Sequence, residues 1–421
     1  MKEKSYKIGI LHYSTPPVIG GVESVIHAHA NLFLEAGYST TVIAGRGDKS
    51  SLPDGTELIL IPEMDTKHPQ ILEMNSELEQ GIFPQKFEAM TDRLTKSLTD
   101  HLSEMDMVIV HNVFTKHFNL PLTAALFRLL DRHAIRHCVA WCHDITWTSP
   151  HSRPKVHDGF PWDLLRTFRT EMTYVTISHD RQQDLAGLFG CPPETIRIIY
   201  NGVDQNDLLA LSDFGRTLID RLGLWDSDLN LLLPVRVTQA KNMELALHVV
   251  AALKKKKINV RLIVTGPPDP HDQKDIEYFQ ELLDLRKRLG VEEEMRFVYQ
   301  SGEDPSQPLI VEMSVVSELF RVSDALFMPS HREGFGMPIL EAGLVGIPIF
   351  CADTIPSAKE IAAQDAVMFP PDAGPEIVAD MILDKMKDNP VYHFRQKVRK
   401  NLSWHGIFQH DMLSLIEKGS K

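Results

Sequence analysis

The segment KIGILHYSTPPVIGGVESVIHAHANLFLEAGYSTTVIA, residues 7–44, decides the fold of this chain. It opens with a short apolar run at 7–13, typical of a buried strand, and the turn residues STPPVIGG then end that strand. Apolar residues next recur at helical spacing, at Val22, Val25, Ile26, Ala30 and Phe33. Gly37 stands where a left-handed cap ends such a helix, and STTVIA at 39–44 is a second strand. Since a helix separates the two strands, we predict that they lie parallel in one sheet.

The same alternation of strand and helix continues along the rest of the chain. Further short apolar runs predict strands at 107–110, 138–141, 174–177, 196–199, 229–235, 260–266, 295–299, 325–329, 347–352 and 366–370. Helices are predicted near 120–131, 179–189, 243–256, 276–289, 311–321 and 338–344. The turn-rich stretch NGVDQND at 201–207 separates two such series. We therefore predict an α/β protein of two doubly wound, Rossmann-like domains, 1–203 and 204–402, that face each other across a ligand-binding cleft.

The composition argues against several classes of protein. The 421 residues carry 57 acidic and 44 basic side chains, a net charge of −13, which disfavours nucleic acid as a partner. The apolar runs are shorter than the roughly 18 residues of a membrane-spanning helix, and the first run is too short for a signal peptide. We expect a cytoplasmic protein. The amphipathic segment 86–102 could contact a membrane surface, although covering the first sheet is the favoured interpretation.

The segment PSHREGFGMPILEAGLVGIP, residues 329–348, carries the strongest chemical signal. It follows a predicted strand and leads into a helix whose first position suits Pro338. Gly334 and Gly336 would let a ligand approach the backbone closely. The free amides at a helix start carry partial positive charge, so we expect this end to hold a diphosphate.

Two glutamates flank this helix start. Glu333 lies in the loop, and we predict Glu341 in the first helical turn, so both can face one cavity. A carboxylate accepts hydrogen bonds from two vicinal hydroxyls at once, as recognition of a ribose or sugar diol requires. A surface ion pair beside a tight turn is the alternative for either residue.

Arg236 and Lys241 lie in the loop between a predicted strand and helix, within LLLPVRVTQAKNMELAL at 231–247. A departing nucleoside diphosphate gains negative charge as its bond to a sugar breaks, and two fixed cations would favour that state. The alternative is a pair of solvated basic residues on a loop.

Two features of the first domain are also candidates for the site. Gly20 and Gly21 precede the first helix, where the backbone-amide argument applies again, although a purely steric turn is an alternative. His143 follows the strand at 138–141, at the sheet edge where ligand groups are expected. A histidine there could hydrogen-bond a transferred sugar or hold an acceptor.

The segment EGFGMPILE, residues 333–341, resembles the paired-glutamate motif of the retaining GT-B glycosyltransferases of family 4. The resemblance extends along the whole chain. The positions that match the family's functional residues are Glu333, Glu341, Arg236, Lys241, Gly20, Gly21 and His143.

The resemblance implies which domain binds which substrate. The C-terminal domain would bind a nucleotide-sugar donor, with Glu341 on the ribose and Glu333 on the transferred sugar. Backbone amides of Phe335, Gly336 and Met337 would meet sugar hydroxyls or phosphate. The N-terminal domain would bind the acceptor, and the ending at 403–421 resembles the family's final helix, which crosses back to complete that domain.

The resemblance also implies hexosyl transfer with retention of configuration, front-face attack on the sugar, no metal and no cofactor. Two alternatives stay open: a disaccharide phosphorylase of the same fold, and a protein that binds nucleotide sugars without chemistry. The sequence names neither the nucleobase nor the acceptor nor the oligomeric state. We interpret the segments 62–82 and 146–162 as irregular loops.

Overall fold

The computed structural model describes residues 6–268, 273–304 and 307–419. The chain divides into two compact units, an N-terminal unit of Met1–Val203 with Asn401–Lys421 and a C-terminal unit of Asp204–Lys400. Each unit is built on one parallel sheet, so the prediction of two Rossmann-like α/β domains is confirmed.

Among the described residues, seven parallel strands form the sheet of the N-terminal unit. They are β1 (Lys7–His12), β2 (Ser39–Ala44), β3 (Glu57–Leu60), β4 (Met107–His111), β5 (Cys138–Cys142), β6 (Met172–Thr176) and β7 (Ile196–Ile198). Their spatial order is β3-β2-β1-β4-β5-β6-β7. The order reverses between β1 and β4, and such a reversal opens a crevice at the carboxyl ends of the strands.

Helices cover both faces of this sheet. They are α1 (Gly21–Glu35), α2 (Pro69–Glu79), α3 (Phe87–Ser103), α4 (Leu120–Asp131) and α5 (His179–Phe189). Successive side chains of a strand point to opposite faces. In β4, Val108 and Val110 pack in the cluster that contains α3, α4 and α5, whereas Met107 and Ile109 pack in the cluster with α1. The central strands β1, β2, β4 and β5 are buried on both faces, which explains their continuous apolar sequences.

The C-terminal unit repeats the scheme with six parallel strands in the described part of the chain. They are β8 (Leu229–Leu233), β9 (Val260–Val264), β10 (Met295–Phe297), β11 (Ala325–Met328), β12 (Ile349–Ala352) and β13 (Val367–Phe369). The spatial order β10-β9-β8-β11-β12-β13 reverses between β8 and β11. The helices are α6 (Gln205–Leu208), α7 (Asp213–Leu222), α8 (Met243–Lys255), α9 (Gln273–Leu289), α10 (Met313–Val322), α11 (Met337–Val345), α12 (Pro375–Lys387) and α13 (Pro390–Lys397).

The last segment of the chain packs against the N-terminal unit. It contains α14 (Trp404–Ile407) and α15 (Leu413–Gly419), and its side chains Phe408 and Met412 are buried in the same cluster as β4 and α1. Trp404 lies so close to Gly202 that a Cβ there would stand 2.7 Å from the indole. Glycine at 202 is therefore a requirement of this packing.

The structure differs from the sequence prediction in two segments. The edge strand β3 was not predicted, and 62–82 contains α2, so the interpretation of that segment as an irregular loop is wrong. The helix is mostly polar and buries Ile71, Met74 and Leu78. Only these three of its 11 residues are buried, and so narrow an apolar stripe gives a weak periodic signal.

The amphipathic segment at 86–102 forms α3, and its apolar face is buried. Met90, Leu94 and Leu98 pack against the sheet in the N-terminal unit, as the favoured interpretation predicted. Among the residues that the structure describes, no helix combines the length and the apolar character needed to span a bilayer.

A buried ion pair holds the end of the C-terminal unit. Asp324 and Arg399 are only 3% and 6% exposed, and Arg399 Nη1 lies 3.1 and 3.0 Å from the two carboxylate oxygens. The same carboxylate accepts a hydrogen bond of 2.9 Å from the backbone N–H of Asn230, and Arg399 Nη2 donates to the Ser227 carbonyl. The pair thus joins the residues after α13 to β8 and β11.

We expect Asp324→Ala to lower the free energy of unfolding of the C-terminal unit by roughly 3–5 kcal/mol, because it leaves a buried guanidinium uncompensated. Hydrogen exchange of peptides from β8 and β11 measures this loss. Glu293→Ala is the matched control, since Glu293 pairs with Arg296 but is 73% exposed at its side chain, and the change should stay below about 1 kcal/mol. Equal effects of the two substitutions would contradict the prediction.

Candidate active site

The candidate site residues of the C-terminal unit lie on the loops after β8 and β11, the two strands between which the sheet order reverses. Arg236 and Lys241 are on the loop after β8, and Glu333 is on the loop after β11. Because the strands are neighbours and parallel, the two loops leave the sheet side by side.

Lys241 and Glu333 contact each other directly. Lys241 Nζ lies 2.6 Å from Glu333 Oε2, and the side chains are 19% and 10% exposed. The other carboxylate oxygen accepts a bond of 2.8 Å from Ser330 Oγ. An ammonium has three N–H donors and a carboxylate has about four acceptor positions. Both groups therefore keep hydrogen-bonding capacity for a ligand while each holds the other in place.

Arg236 is exposed and has no hydrogen-bond or ion-pair partner among the described residues. Its backbone, in contrast, is tightly packed. A Cβ at Gly266, in the loop after β9, would stand 2.7 Å from the Cα of Arg236, and Gly266 N–H donates to the Val235 carbonyl at 3.2 Å. The backbone at 236 is thus fixed and the guanidinium is left available.

Gly336 forms the N-cap of α11. Its φ of +94° is left-handed, and a Cβ there would meet Ile355 Cγ2 at 2.6 Å. Ser357 holds the turn, since its hydroxyl donates to the Gly336 carbonyl and its N–H donates to the Phe335 carbonyl, both at 3.0 Å. The N–H groups of Phe335, Gly336 and Met337 donate to no acceptor among the described residues. They form a cluster of free donors at the positive end of a helix.

Helix α11 begins one residue earlier than predicted, at Met337, with Pro338 second. Glu341 is consequently the fifth helical residue, so the prediction that it lies in the first turn is wrong. Its side chain is half-buried, and the described residues provide no hydrogen bond or ion pair for it. Gly334 has open space around the position of a Cβ, so packing does not require glycine there.

Asn242 connects the loops of this site, and the sequence analysis missed it. It adopts a left-handed φ of 54°, caps α8 by accepting from Leu245 N–H, and donates from Nδ2 to the carbonyls of Pro329 and Pro371 at 3.1 and 2.9 Å. It thereby joins the ends of β8, β11 and β13. An asparagine directly before a helix signals a cap, but its bonds to residues about 90 and 130 positions away leave no local signal.

The glycine loop of the N-terminal unit lies against a side-chain carboxylate of the same unit. Gly20 is the N-cap of α1, and a Cβ there would stand 2.2 Å from Glu23 Oε2. Glu23 is 8% exposed and accepts a bond of 2.7 Å from Ser14. Its carboxylate offsets part of the positive potential at this helix start. Gly21 has nothing within 4 Å of a Cβ position.

His143 belongs to a group of buried histidines. Its Nε2 lies 3.0 Å from His111 Nδ1, and His29 stands beside His111 with ring centroids 5.4 Å apart. Burial lowers the pKa of both His143 and His29 to about 3, and it holds the pKa of His111 well below its ordinary value. These rings are neutral at physiological pH. The sequence showed His143 through its position after β5, but it gave no sign of the contact with His111.

Two sequence families match the chain, and together they cover most of it. "Glycosyltransferase Family 4" matches residues 19–207, and "Glycosyl transferases group 1" matches residues 220–403. With two Rossmann-like units, these matches define a glycosyltransferase of the GT-B class. The chain belongs to the group 1 glycosyltransferases and, within its N-terminal half, matches family 4.

Named enzymes from other organisms are similar in sequence to this chain. Mannosylglucosylglycerate synthase of Petrotoga mobilis is 25% identical over 383 residues, which are 85% of this chain and 84% of the relative. D-inositol 3-phosphate glycosyltransferase of Actinosynnema mirum is 27% identical over 187 residues, 44% of this chain and 41% of the relative. The second match therefore spans about two fifths of either protein.

Solved structures also align with the chain. Anabaena Alr3699/HepE, crystallised with UDP and glucose, is 19% identical, with 98% of this chain and all of that chain covered and a TM-score of 0.35.

We expect Gly336→Ala to destabilise the C-terminal unit by roughly 1–3 kcal/mol, because alanine at this φ is strained and its methyl group meets Ile355. Gly334→Ala is the matched control, and its effect should stay within about 0.5 kcal/mol. Thermal unfolding of the two variants compares them. A larger loss for Gly334→Ala would refute this account of the turn.

We also expect the stability of the N-terminal unit to depend on pH through His29. An unfolded histidine binds a proton near its ordinary pKa of 6.5, whereas folded His29 binds one only near 3. The free energy of unfolding should therefore fall as the pH falls from 6.5 towards 3, by up to about 1.4 kcal/mol per pH unit for this group.

His29→Phe should make that dependence shallower by about one proton. Denaturant unfolding between pH 4.5 and 7.5 measures the slope, and the exposed His151 provides the control substitution His151→Phe. If the free energy of unfolding depends on pH equally in wild type and in His29→Phe, the His29 ring does not cause that dependence.

Proposed function

We propose that this glycosyltransferase moves a hexosyl unit from a nucleoside-diphosphate sugar to an acceptor hydroxyl, with retention of configuration and without a metal or another cofactor. The observation that supports it best is the Lys241–Glu333 pair beside the free amides of α11, on adjoining loops of one sheet. This arrangement offers cationic and N–H donors for an anion next to a fixed carboxylate for hydroxyls.

A diphosphate suits the donors of the C-terminal unit. The free amides of Phe335, Gly336 and Met337 lie at the positive end of α11, where an anion is stabilised by the helix dipole and by hydrogen bonds together. Lys241 donates one N–H of its ammonium group to Glu333 and can donate the other two to phosphate oxygens. One side chain thus bridges the carboxylate and the anion.

Arg236 supplies charge stabilisation during the reaction. Breakage of the bond between sugar and phosphate adds one negative charge to the terminal phosphate of the diphosphate, and a nearby guanidinium lowers the energy of that state more than that of the ground state. Its fixed backbone and unpaired side chain fit this role. With these cations in position, the departing phosphate can accept the proton of the acceptor hydroxyl as the new bond forms on the same face.

The two glutamates recognise hydroxyl groups. Glu333 is held by Lys241 and Ser330 and keeps acceptor positions for the transferred sugar. Glu341 stands on the helix whose start holds the diphosphate, and its carboxylate suits the ribose diol. Because the ribose does not react, Glu341 contributes to affinity more than to turnover.

The acceptor belongs to the N-terminal unit in this proposal, with His143 as one of its contacts or as a contact of the transferred sugar. One relative is named for mannosylglucosylglycerate and the other for D-inositol 3-phosphate. Both names denote small polyhydroxylated molecules, and an acceptor of that chemical class is the first to test.

We expect Arg236→Ala to lower kcat at least about tenfold with little change in stability, because the lost interaction acts on developing charge. The assay follows release of nucleoside diphosphate from UDP-, GDP- and ADP-hexoses in the presence of a chelator, and NMR reads the anomeric configuration of the product. Arg288→Ala is the control, since Arg288 is another exposed arginine of the same unit. Unchanged turnover of Arg236→Ala at saturating donor would refute the role of Arg236.

Three further measurements separate the proposed function from the competing functions. Cleavage of a disaccharide by inorganic phosphate, without any nucleotide, would identify a phosphorylase. Tight binding of a nucleotide sugar with neither transfer nor slow hydrolysis would identify a binding protein. Loss of all activity in the chelator, restored by a divalent cation, would overturn the metal-free part of the proposal.

A further inference from the structure

Three histidines meet at one edge of the sheet in the N-terminal unit. His12 is the last residue of β1, His111 is the last residue of β4, and His143 directly follows β5. These strands are consecutive in the sheet, and the order reverses between β1 and β4. The histidines therefore lie at the crevice where this kind of sheet binds ligands.

The proton of His12 has a defined position. Its Nδ1 lies 2.9 Å from the carbonyl oxygen of His111. A carbonyl only accepts hydrogen bonds, so Nδ1 carries the hydrogen. In the neutral ring Nε2 then holds a lone pair. That atom has no partner among the described residues, and it is not one of their enclosed polar atoms. His12 therefore presents an acceptor at the sheet edge.

His111 and His143 share one hydrogen between His111 Nδ1 and His143 Nε2, which are 3.0 Å apart. Two arrangements are chemically consistent with neutral rings. If His143 donates, His111 must carry its own hydrogen on Nε2. If His111 donates, its Nε2 holds only a lone pair, and the hydrogen of His143 lies on Nδ1.

The surroundings of His111 favour the second arrangement. His111 Nε2 is enclosed and has no partner within the described ranges, with Trp141 and His29 packed around the ring. Buried N–H groups without an acceptor are rarer in proteins than buried acceptors that lack a donor. His111 thus donates from Nδ1, and His143 carries its hydrogen on Nδ1.

The backbone around His143 is also fixed. Asn112, with a left-handed φ of 62°, accepts at Oδ1 from the N–H groups of His143 and Asp144 at 2.9 and 3.1 Å. The residue after β4 therefore holds the turn after β5. His143 Nδ1 has no partner among the described residues and, like His12 Nε2, is not enclosed.

We propose that His111 is a positioning residue that sets the tautomer of His143, so that His143 offers an N–H donor and His12 an acceptor to hydroxyl groups of a sugar substrate. This inference rests on the proposed function for its ligand, a polyhydroxylated molecule. A hydroxyl both donates and accepts, so a fixed donor and a fixed acceptor at the same edge of the sheet, one on either side of His111, suit it. A phosphate or carboxylate, which offers no hydrogen to His12, fits this pair poorly.

The tautomer is tested directly on the full chain without substrate. Long-range ¹H–¹⁵N correlation spectra of histidine-labelled protein distinguish a protonated from an unprotonated ring nitrogen, and His143→Phe assigns the signals. We expect His143 to be protonated on Nδ1 and unprotonated on Nε2. A wild-type spectrum with the hydrogen on Nε2 would overturn the proposal.

Two substitutions of His111 separate positioning from packing. His111→Asn keeps an N–H donor near the place of Nδ1, so the Nδ1–H form of His143 should persist. His111→Phe keeps an aromatic ring but removes the donor, so signal should move towards the Nε2–H form. His137→Gln is the control, because His137 precedes β5 at the opposite edge of the sheet, and it should leave the His143 signals unchanged. An unaltered tautomer in His111→Phe would show that another group sets it.

Recognition of hydroxyls is tested by transfer kinetics. His12→Phe and His111→Phe should each raise the KM of one sugar substrate about tenfold or more, with a smaller effect on kcat, whereas His111→Asn should retain most of the wild-type KM. Unchanged KM values in both phenylalanine variants would overturn this role. If wild-type protein transfers no sugar at all, the proposed function fails, and the spectra still decide the tautomer.

Discussion

The parallel pairing of β8 with β11 is the constraint on which the candidate site depends. It makes the chain leave the sheet at two neighbouring points although Lys241 and Glu333 are 92 residues apart in sequence. The ion pair between them and the hydrogen bond from Asn242 to the Pro329 carbonyl both require that proximity. Any change that separated the two strands would take the ammonium group of Lys241 away from the carboxylate of Glu333.

The same strand order in the two units supports two different chemistries. At the reversal in the C-terminal unit the side chains are charged and half-buried, and each keeps capacity for a ligand. At the reversal in the N-terminal unit the side chains are histidines whose pKa values are lowered by burial, so they act as neutral hydrogen-bonding groups. The fold fixes where ligand groups stand, and the residues after each strand decide what those groups recognise.

The sequence predicts the regular elements well because they follow from local periodicity. The helices at 120–131 and 179–189 agree with α4 and α5 to the residue, and Gly37 ends α1 with a left-handed φ of 83° as expected. The predicted strands at 229–235 and 260–266 run two residues too long, because in both segments the chain turns out of the sheet after residue 233 or 264. The polar helix α2 was missed because its buried stripe is narrow.

The candidate site was predicted only in part, and the reason is physical. Residue type and position after a strand identified Arg236, Lys241, Glu333 and His143 as candidates. Ser330 orients Glu333 from three residues away, whereas the contacts of Asn242 and His111 join strands that are distant in sequence. Periodicity does not reveal the order of strands in a sheet, so it cannot show which loop ends become neighbours. The functional roles of the four residues stay predictions.

Glu23 makes the two halves of this molecule electrostatically unequal. Each half starts a helix beside glycine at the sheet edge, and in the described part of the chain the carboxylate near α11, Glu333, is paired with Lys241, whereas Glu23 is held against the start of α1 by Ser14 and has no cationic partner there. A second anion arriving there meets repulsion from a charge that the fold cannot release without breaking the bond from Ser14. One side chain in the first turn of α1 thus disfavours a phosphate at the helix start of the N-terminal unit.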